Sequence, residues 1–294
     1  MVPFPVGNVS RAFVAAGSDN ACSMALPSIF GIVNVTIDSF SDGGRYYNAE
    51  KAVAHAERLR LAGADVLDLG AESTHPDAED VAASEEIRRL EPVVGALIEQ
   101  GAVVSIDTTK AEVMREMVGL GATWLNDVNG FRDPEALRVA SDCAKDVRFV
   151  VMYSRSNKPR ADRSASGASG LLDELRAFFD ERRAAFASVG VAVDRIVFDP
   201  GMGFFLGRDA NPSLTVLHHL AELSEAAGPM LISVSRKSFL GEVTGSAVAQ
   251  RGPGTLSAEL WAARHGAGYL RTHDVLALRD ALRVQEAIQQ ALDR

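Results

Sequence analysis

Eight short apolar runs, separated by stretches with helical periodicity, limit the folds open to this chain more than any other feature. The runs are rich in β-branched and apolar residues, as buried strands are. They cover residues 28–36, 65–70, 103–108, 123–128, 148–153, 195–200, 230–235 and 269–274. Apolar residues at three- and four-residue spacing predict helices at 48–64, 110–122, 171–190, 255–267 and 276–294. A strand followed by a helix, eight times over, predicts parallel βαβ units.

Two α/β architectures contain such units, a closed (β/α)8 TIM barrel and an open doubly wound sheet. No dinucleotide-binding glycine fingerprint follows the first run, which favours the closed barrel. The polar loop at 154–170 is too short for a domain, so we predict a single barrel domain over 28–294. Residues 1–27 lack the basic start and long apolar run of a signal peptide, and we interpret them as a loosely ordered N-terminal extension.

Composition argues against several classes of partner. The chain has 294 residues and 47% hydrophobic content, which is enough for a sizeable core. A net charge of −9, with no run of lysines or arginines, argues against nucleic acid. No segment approaches the roughly 18 apolar residues of a membrane span. The two cysteines, Cys22 and Cys143, do not make a disulfide framework, so a reducing cytoplasm is the expected location.

Polar side chains stand at the end of every predicted strand. In order they are Asn34, Glu72, Asp107, Asn126, Tyr153, Asp199, Ser235 with Arg236 and Lys237, and Arg271 with His273. Strand ends that meet water become polar in any protein, and that alternative holds for each residue taken alone. Amides and carboxylates, however, occupy the earlier strands and cations the last two. Because barrel active sites form at the C-terminal strand ends, the set predicts one pocket for a polar heterocycle and an anion.

Seven sequence blocks carry a family resemblance. They read "GIVNVTIDSFSDGG" (31–44), "GAESTHPDA" (70–78), "SIDT" (105–108), "NDVNG" (126–130), "DPGMGF" (199–204), "SRKSFLG" (235–241) and "RTHDV" (271–275). In order and spacing these blocks resemble the signatures of dihydropteroate synthase across residues 28–290. The resemblance implies a (β/α)8 barrel that joins a dihydropterin methyl diphosphate to p-aminobenzoate in folate biosynthesis. It also implies Mg²⁺ as a cofactor and a cytoplasmic homodimer.

The resemblance assigns a pterin-binding set by matching motif to motif. Its members are Asp107, Asn126, Met152, Asp199, Lys237 and Arg271. The chemistry fits, because a carboxylate accepts two adjacent N–H donors of a pterin edge and an amide both donates and accepts. The same matching implies that the catalytic residues are Asp107, Asp199, Lys237, Arg271 and His273.

Two further sets follow from the resemblance. The diphosphate-binding residues are Asn34, Thr74, Arg271 and His273, and Asn34 is also the implied Mg²⁺ ligand. A single amide oxygen is plausible there, because Mg²⁺ prefers oxygen ligands and keeps several waters. The p-aminobenzoate-binding residues are Pro76, Phe204, Phe205, Ser235 and Lys237.

The chain departs from the family pattern near the two smaller ligands. Ile37, His75, Asp77 and Tyr153 stand where the family usually has proline, arginine, glycine and histidine. In "DPGMGFFLG" (199–207), Phe205 and Leu206 replace a small residue and a lysine. The segment resembles the mobile, sulfonamide-resistant branch of the family. We therefore expect Phe204 or Phe205 to wall the arylamine site, with ordinary core packing of Phe205 as the alternative.

Two other functions remain open at this point. One is a methyltransferase domain that binds methyltetrahydrofolate and passes the methyl group to a corrinoid. The other is a non-catalytic pterin-binding protein. Neither needs Lys237, Arg271 and His273, which supply the diphosphate side of the predicted pocket.

Overall fold

Eight parallel strands close into a barrel in the computed structural model of the chain. The structure describes residues 26–35, 44–72, 80–155 and 167–292, except the side chains of 44–48 and 292. The strands are β1 (Ser28–Asn34), β2 (Val66–Gly70), β3 (Val104–Asp107), β4 (Trp124–Asp127), β5 (Arg148–Met152), β6 (Ile196–Asp199), β7 (Met230–Ile232) and β8 (Ala267–Thr272). Each strand pairs with the next, and β1 pairs with β8. The predicted (β/α)8 barrel and single domain are confirmed.

Within the described residues, nine α-helices lie between successive strands and a tenth follows β8. They are α1 (Gly44–Leu61), α2 (Ala83–Glu99), α3 (Ala111–Gly119), α4 (Pro134–Asp142), α5 (Leu171–Ser188), α6 (Asn211–His218), α7 (Leu220–Ala227), α8 (Ser238–Thr244), α9 (Gly252–Arg264) and α10 (Val275–Leu292). The five predicted helices correspond to α1, α3, α5, α9 and α10, with ends shifted by a few residues. The others were not located individually, although α2 buries Leu90, Val93 and Leu97 at three- and four-residue spacing. The connections after β6 and β7 each contain two helices.

Two apolar layers hold the barrel together. The larger core lies between the strands and the helices, where residues such as Val33, Leu69 and Leu278 are fully buried. A second cluster takes one residue from each of seven strands: Phe30, Val66, Trp124, Val150, Val197, Leu231 and Tyr269. Because these seven side chains contact one another across the barrel, they fill its interior. We call them the interior floor.

The interior becomes polar two residues further along the strands. Successive strand residues point to opposite faces, so a two-residue step stays inside the barrel. This step leads from Val66 to Asp68, from Trp124 to Asn126, from Val150 to Met152, from Val197 to Asp199, from Leu231 to Ser233 and from Tyr269 to Arg271. Its polar and charged members therefore gather at the C-terminal end of the barrel. We call Asp68, Asp107, Asn126, Asp199 and Arg271 the polar level.

Some predictions fall outside this description or are limited by it. Residues 1–25 lie outside the described residues, so the extension proposed for 1–27 stays a prediction. In the described part of the chain, no helix combines the length and apolar character that crossing a membrane requires. Cys143 is a half-buried free thiol, and Cys22 is not among the described residues.

Candidate active site

A pocket opens at the C-terminal ends of the strands. It is lined by Asp107, Asn126, Val128, Met152, Asp199, Met202, Phe205, Ser233, Lys237 and Arg271. All six residues of the predicted pterin set are among them. The pocket is therefore where the sequence analysis expected it, at the strand ends that carry the acids, the amide and the cations.

Arg271 ties three strands together across the barrel. Its Nε donates to Asp68 Oδ2 at 2.5 Å, and its Nη2 donates to Asp107 Oδ2 at 2.7 Å. Asn126 Nδ2 also donates to Asp68 Oδ2, at 3.2 Å. Burial disfavours the charge of Arg271, but Asp68 and Asp107 outweigh that effect and raise its pKa. The guanidinium is thus held charged and in a fixed orientation at the edge of the pocket.

Burial displaces the pKa values of the other charged groups in the pocket. Burial raises the pKa of Asp199 to about 6. The Gly201 N–H, which donates to Asp199 Oδ1 at 2.7 Å, acts in the opposite direction and lowers this pKa. Burial also raises the pKa of Asp107 above the usual range, although the positive charge of Arg271 acts to lower it. Burial and then Arg271 lower the pKa of Lys237 to about 8. Near neutral pH the carboxylate of Asp199 and the ammonium of Lys237 are still mainly charged.

The turn before Lys237 is held in an unusual backbone conformation. Arg236 has a φ of 59°, in the left-handed region that non-glycine residues rarely adopt. Its N–H donates to Thr255 Oγ1 at 3.0 Å, and its carbonyl accepts from Arg251 Nη1 at 2.9 Å. These contacts from α9 and the turn before it fix the start of α8 and bring Lys237 over the pocket. Strain of this kind is typical of residues that position a functional group.

His273 is oriented by Ser235. The Ser235 hydroxyl lies 2.9 Å from His273 Nδ1 and accepts the His273 backbone N–H at 3.2 Å. The hydroxyl has one proton to donate, and in the tautomer in which it donates to Nδ1 the ring proton is on Nε2. Burial and then Arg236 lower the pKa of His273 to about 4. The sequence-based expectation of a cationic His273 is therefore corrected: the ring is neutral near neutral pH.

The two adjacent phenylalanines take different positions. Phe205 is 5% exposed and lines the pocket, where it packs with Val128 and Met152. The Lys237 ammonium lies 5.0 Å from the centre of the Phe205 ring. Phe204 is half-buried and packs against the same cluster. Phe205 is thus a wall of the pocket rather than a member of the larger core.

The remaining predicted residues are less closely tied to the pocket. Asn34 ends β1 and is exposed. Ser235 is buried against His273, and Ser233 stands in the pocket lining instead. Thr74 and Pro76 lie outside the described residues. The described residues contain no cluster of three or more histidine, cysteine, aspartate or glutamate side chains able to hold a metal.

Sequence reasoning missed Asp68, which is fully buried and bonded to both Arg271 and Asn126. A signal was present, because Asp68 is the only charged residue inside the apolar run of β2. A carboxylate buried in a strand needs a charged or hydrogen-bonding partner, which points to the barrel interior. Val128, Met202 and Ser233 were missed as well, and their residue types give no comparable signal.

Comparisons with known proteins agree with this geometry. Residues 30–273 match the family model described as pterin binding enzyme. Dihydropteroate synthase type-3 from Escherichia coli is 45% identical over 265 residues, which cover 90% of this chain and all of the relative.

Solved structures give the same result. A structure of Xanthomonas albilineans dihydropteroate synthase with 4-aminobenzoic acid has a TM-score of 0.82 and 42% identity. It covers 90% of this chain and 94% of its own. A structure from the same organism in complex with 7,8-dihydropteroate has a TM-score of 0.78 and 40% identity, and covers 90% of this chain and 95% of its own. The chain therefore belongs to the pterin binding enzyme family and, within it, to the dihydropteroate synthases.

Proposed function

We propose that the chain condenses 6-hydroxymethyl-7,8-dihydropterin diphosphate with p-aminobenzoate, giving 7,8-dihydropteroate and diphosphate in folate biosynthesis. The observation that carries the proposal is one pocket in which Asp107, Asn126 and Asp199 face Lys237 and Arg271. The Xanthomonas albilineans relative binds both 4-aminobenzoic acid and 7,8-dihydropteroate, the arylamine substrate and the product of this reaction.

The polar level provides the groups that a pterin edge needs. In the proposal, Asp199 and Asp107 accept the ring N–H donors, and Asn126 both donates and accepts. Hydrogen bonds from a bound ring favour the charged carboxylate, so they oppose the raised pKa that burial gives both acids. Lys237 contacts the pterin carbonyl, and Met152 packs on the ring face.

Bond breaking then depends on stabilising the leaving group. The bond between the pterin methylene carbon and the diphosphate oxygen breaks, and both electrons leave with diphosphate. Arg271 stabilises the growing anionic charge, and the Nε2–H of neutral His273 donates a hydrogen bond to it. The arylamine nitrogen attacks the electron-poor methylene and releases a proton to solvent. Because that nitrogen is neutral before attack, no strong general base is required.

Mg²⁺ belongs to this proposal as the cofactor of the diphosphate. The exposed side-chain oxygen of Asn34, at the end of β1, fits a cation that takes few protein ligands. The bound ion would neutralise part of the charge on the diphosphate oxygens. Thr74 is proposed to contact the same anion.

A coupled assay for diphosphate release tests the function. We expect the pterin diphosphate to release diphosphate faster when p-aminobenzoate is present. One dihydropteroate should then form for each diphosphate released. A methyltetrahydrofolate–corrinoid methyltransferase would release no diphosphate, and a non-catalytic pterin-binding protein would bind the substrate without turnover. Either result would contradict the proposal.

We further propose that the arylamine site disfavours sulfonamides and so confers sulfonamide resistance. Phe205 supports this, because its ring lines the pocket beside Lys237. We also assign Phe204, Pro76 and Ser235 to this subsite, although Ser235 is turned towards His273 and Pro76 lies outside the described residues. A sulfonamide replaces the flat carboxylate of p-aminobenzoate with a bulkier sulfonyl group, so a rigid ring can clash with the drug alone.

The measurement for resistance is the ratio of the sulfonamide inhibition constant to KM for p-aminobenzoate. We expect a ratio far above one in the parent and a lower ratio in Phe205→Gly and Phe205→Leu. A parent ratio near one would refute the resistance proposal. A high ratio that persists in both variants would remove Phe205 as its cause.

We also propose a cytoplasmic homodimer. Leu214 on α6 and Trp261 on α9 are both more than two-fifths exposed, on helices that contact each other. The Trp261 Nε1–H donates to the Leu217 carbonyl at 2.9 Å, which holds the indole against α6. An apolar patch of this kind is typical of a surface that another copy covers. A monomer in sedimentation at micromolar concentration would contradict the dimer.

A further inference from the structure

Arg155, just beyond β5, joins two loops at the mouth of the barrel. Its backbone N–H donates to the Phe205 carbonyl at 3.1 Å. Its Nη1 donates to the Leu206 carbonyl at 3.2 Å and to the Gly167 carbonyl at 2.7 Å. One residue therefore holds the backbone at two consecutive positions of the loop that carries the Phe205 ring.

Glu174 holds the guanidinium of Arg155 in turn. Arg155 Nε and Nη2 donate to the two Glu174 carboxylate oxygens at 2.9 and 3.2 Å. A two-point bond of this kind fixes the plane of the guanidinium. The Tyr153 hydroxyl donates to Glu174 Oε2 at 2.7 Å. Burial raises the pKa of Tyr153 to about 12, so the phenol keeps the proton that it donates. The Arg155 side chain is 12% exposed and the Glu174 side chain 42%, so a largely buried guanidinium meets a carboxylate that water also reaches.

The two loops also touch directly along their backbones. The Tyr153 N–H donates to the Asp199 carbonyl at 2.8 Å. Gly201 has a φ of 72°, and a Cβ there would collide with the Tyr153 carbonyl oxygen. Asp209 Oδ2 accepts the Gly167 N–H at 3.2 Å and closes the connection from the other side. The position of the Phe205 loop is thus set by residues that follow β5.

We propose that Arg155 is a positioning residue for specificity, fixing the backbone at Phe205 and Leu206 so that the Phe205 ring cannot retreat from the arylamine subsite. The inference rests on the proposed exclusion of sulfonamides by Phe205. It also joins two of the departures from the family pattern, because Tyr153 and Phe205 lie at opposite ends of one hydrogen-bond network. The Phe205 ring can exclude a bulky sulfonamide only if the backbone that carries the ring stays in place.

The test compares Arg155→Ala with Arg155→Lys and with Arg208→Ala, an exposed arginine of the same loop. The readout is the ratio of the sulfonamide inhibition constant to KM for p-aminobenzoate. Arg155→Ala keeps the backbone bond to the Phe205 carbonyl but loses the charged side-chain bond to the Leu206 carbonyl, which should lower this ratio about ten-fold. We expect kcat and KM for the pterin to stay within about two-fold, as for changes outside the reacting centre. Arg155→Lys should give an intermediate ratio and Arg208→Ala the parent ratio.

A double-mutant cycle tests whether Arg155 acts through the ring. In a Phe205→Gly background, Arg155→Ala should change the ratio by less than about two-fold. An equal loss with and without Phe205 would overturn the proposal, as would a parent-like ratio in Arg155→Ala. Should Arg155→Ala fail to fold, Tyr153→Phe and Glu174→Gln weaken the same network and should lower the ratio more modestly.

Backbone hydrogen exchange separates this inference from the resistance proposal. Amides of residues 203–207 should exchange about ten-fold faster in Arg155→Ala than in the parent, whether or not the parent resists sulfonamides. If the parent ratio is near one and these amides still exchange faster in Arg155→Ala, the resistance proposal is refuted. The role of Arg155 in holding the loop is then supported. Unchanged exchange would overturn the role of Arg155 itself.

Discussion

The interior floor and the polar level lie two residues apart along the barrel strands, and their chemistry is opposite. In the floor, Trp124 meets Phe30 and Tyr269 edge to face, with ring centres 5.1 and 5.5 Å away. Two residues further on, Asn126 and Asp68 share a hydrogen bond, and Arg271 joins them. The floor side chains pack against one another, whereas the polar level places three carboxylates around one guanidinium, with the Lys237 ammonium beside them in the pocket.

The comparison separates residues that stabilise the barrel from residues that we propose bind the pterin. In the floor, the aromatic side chains pack against one another and against their aliphatic neighbours. In the polar level, Asp68 Oδ1 is buried with no hydrogen-bond partner among the described residues, and burial raises the pKa of Asp107 and Asp199. Such groups cost stability in the free enzyme, as active-site groups often do. Substitutions in the floor should therefore change folding, and substitutions in the polar level should change binding.

The largest effect is expected from Trp124→Ala in the floor. Removing a buried indole leaves a cavity between Phe30 and Tyr269, and the free energy of unfolding should fall by about 3–5 kcal/mol. Chemical denaturation measures the loss. The specific activity of the folded fraction should stay near that of the parent, because Trp124 does not line the pocket. A large fall in specific activity without a fall in stability would break the comparison.

A smaller effect is expected from Asp107→Asn and Asp199→Asn in the polar level. Each change removes a charged hydrogen-bond acceptor and should weaken pterin binding by about 1.5–3 kcal/mol. Calorimetric titration with the pterin substrate measures it. Because burial already penalises both charges, the free energy of unfolding should change little or even rise at neutral pH. Parent-like affinity in both variants would show that these acids do not hold the pterin.

Much of this contrast could be predicted from the sequence, because it follows from strand periodicity. Eight apolar runs alternating with helices predicted the barrel. Asp107, Asn126 and Asp199 could be predicted because they are the last or next-to-last residues of their strands, and strand ends converge at one face. Asp68 was missed for the same reason: it stands two residues before the end of β2, inside the apolar run.

Other features depend on geometry that periodicity does not contain. β7 ends at Ile232, so the alternation of strand side chains no longer applies three residues later at Ser235. Ser235 turns to His273 as a result. The contact of Arg155 with Leu206 spans 51 residues and depends on one guanidinium orientation. Sequence reasoning identified Phe205 as unusual, but the residue that holds its loop became visible only in the structure.

The last effect is the smallest per step, about 1 kcal/mol for each pH unit, and concerns a buried acid outside both levels. Glu259 on α9 is 2% exposed, and its Oε1 has no hydrogen-bond partner among the described residues. Its side chain bonds Thr272, the last residue of β8. Burial raises the pKa of Glu259 from 4.5 to about 8. The folded protein therefore keeps Glu259 protonated at pH values where the unfolded chain has lost the proton.

The sign of the resulting pH dependence follows from linkage. A raised carboxyl pKa leaves stability intact below the unfolded pKa and removes it as pH rises through the folded pKa. The parent should lose stability on this account between pH 4.5 and about 8, whereas Glu259→Gln has no proton to lose. The stability advantage of Glu259→Gln should therefore grow by about 1 kcal/mol per pH unit near pH 6–7. Urea unfolding of both proteins across this range measures the difference. Asp107 and Asp199 titrate equally in the parent and in Glu259→Gln, so their contribution to the difference cancels. Stability curves that stay parallel across this pH range would show that Glu259 ionises as an ordinary carboxyl group.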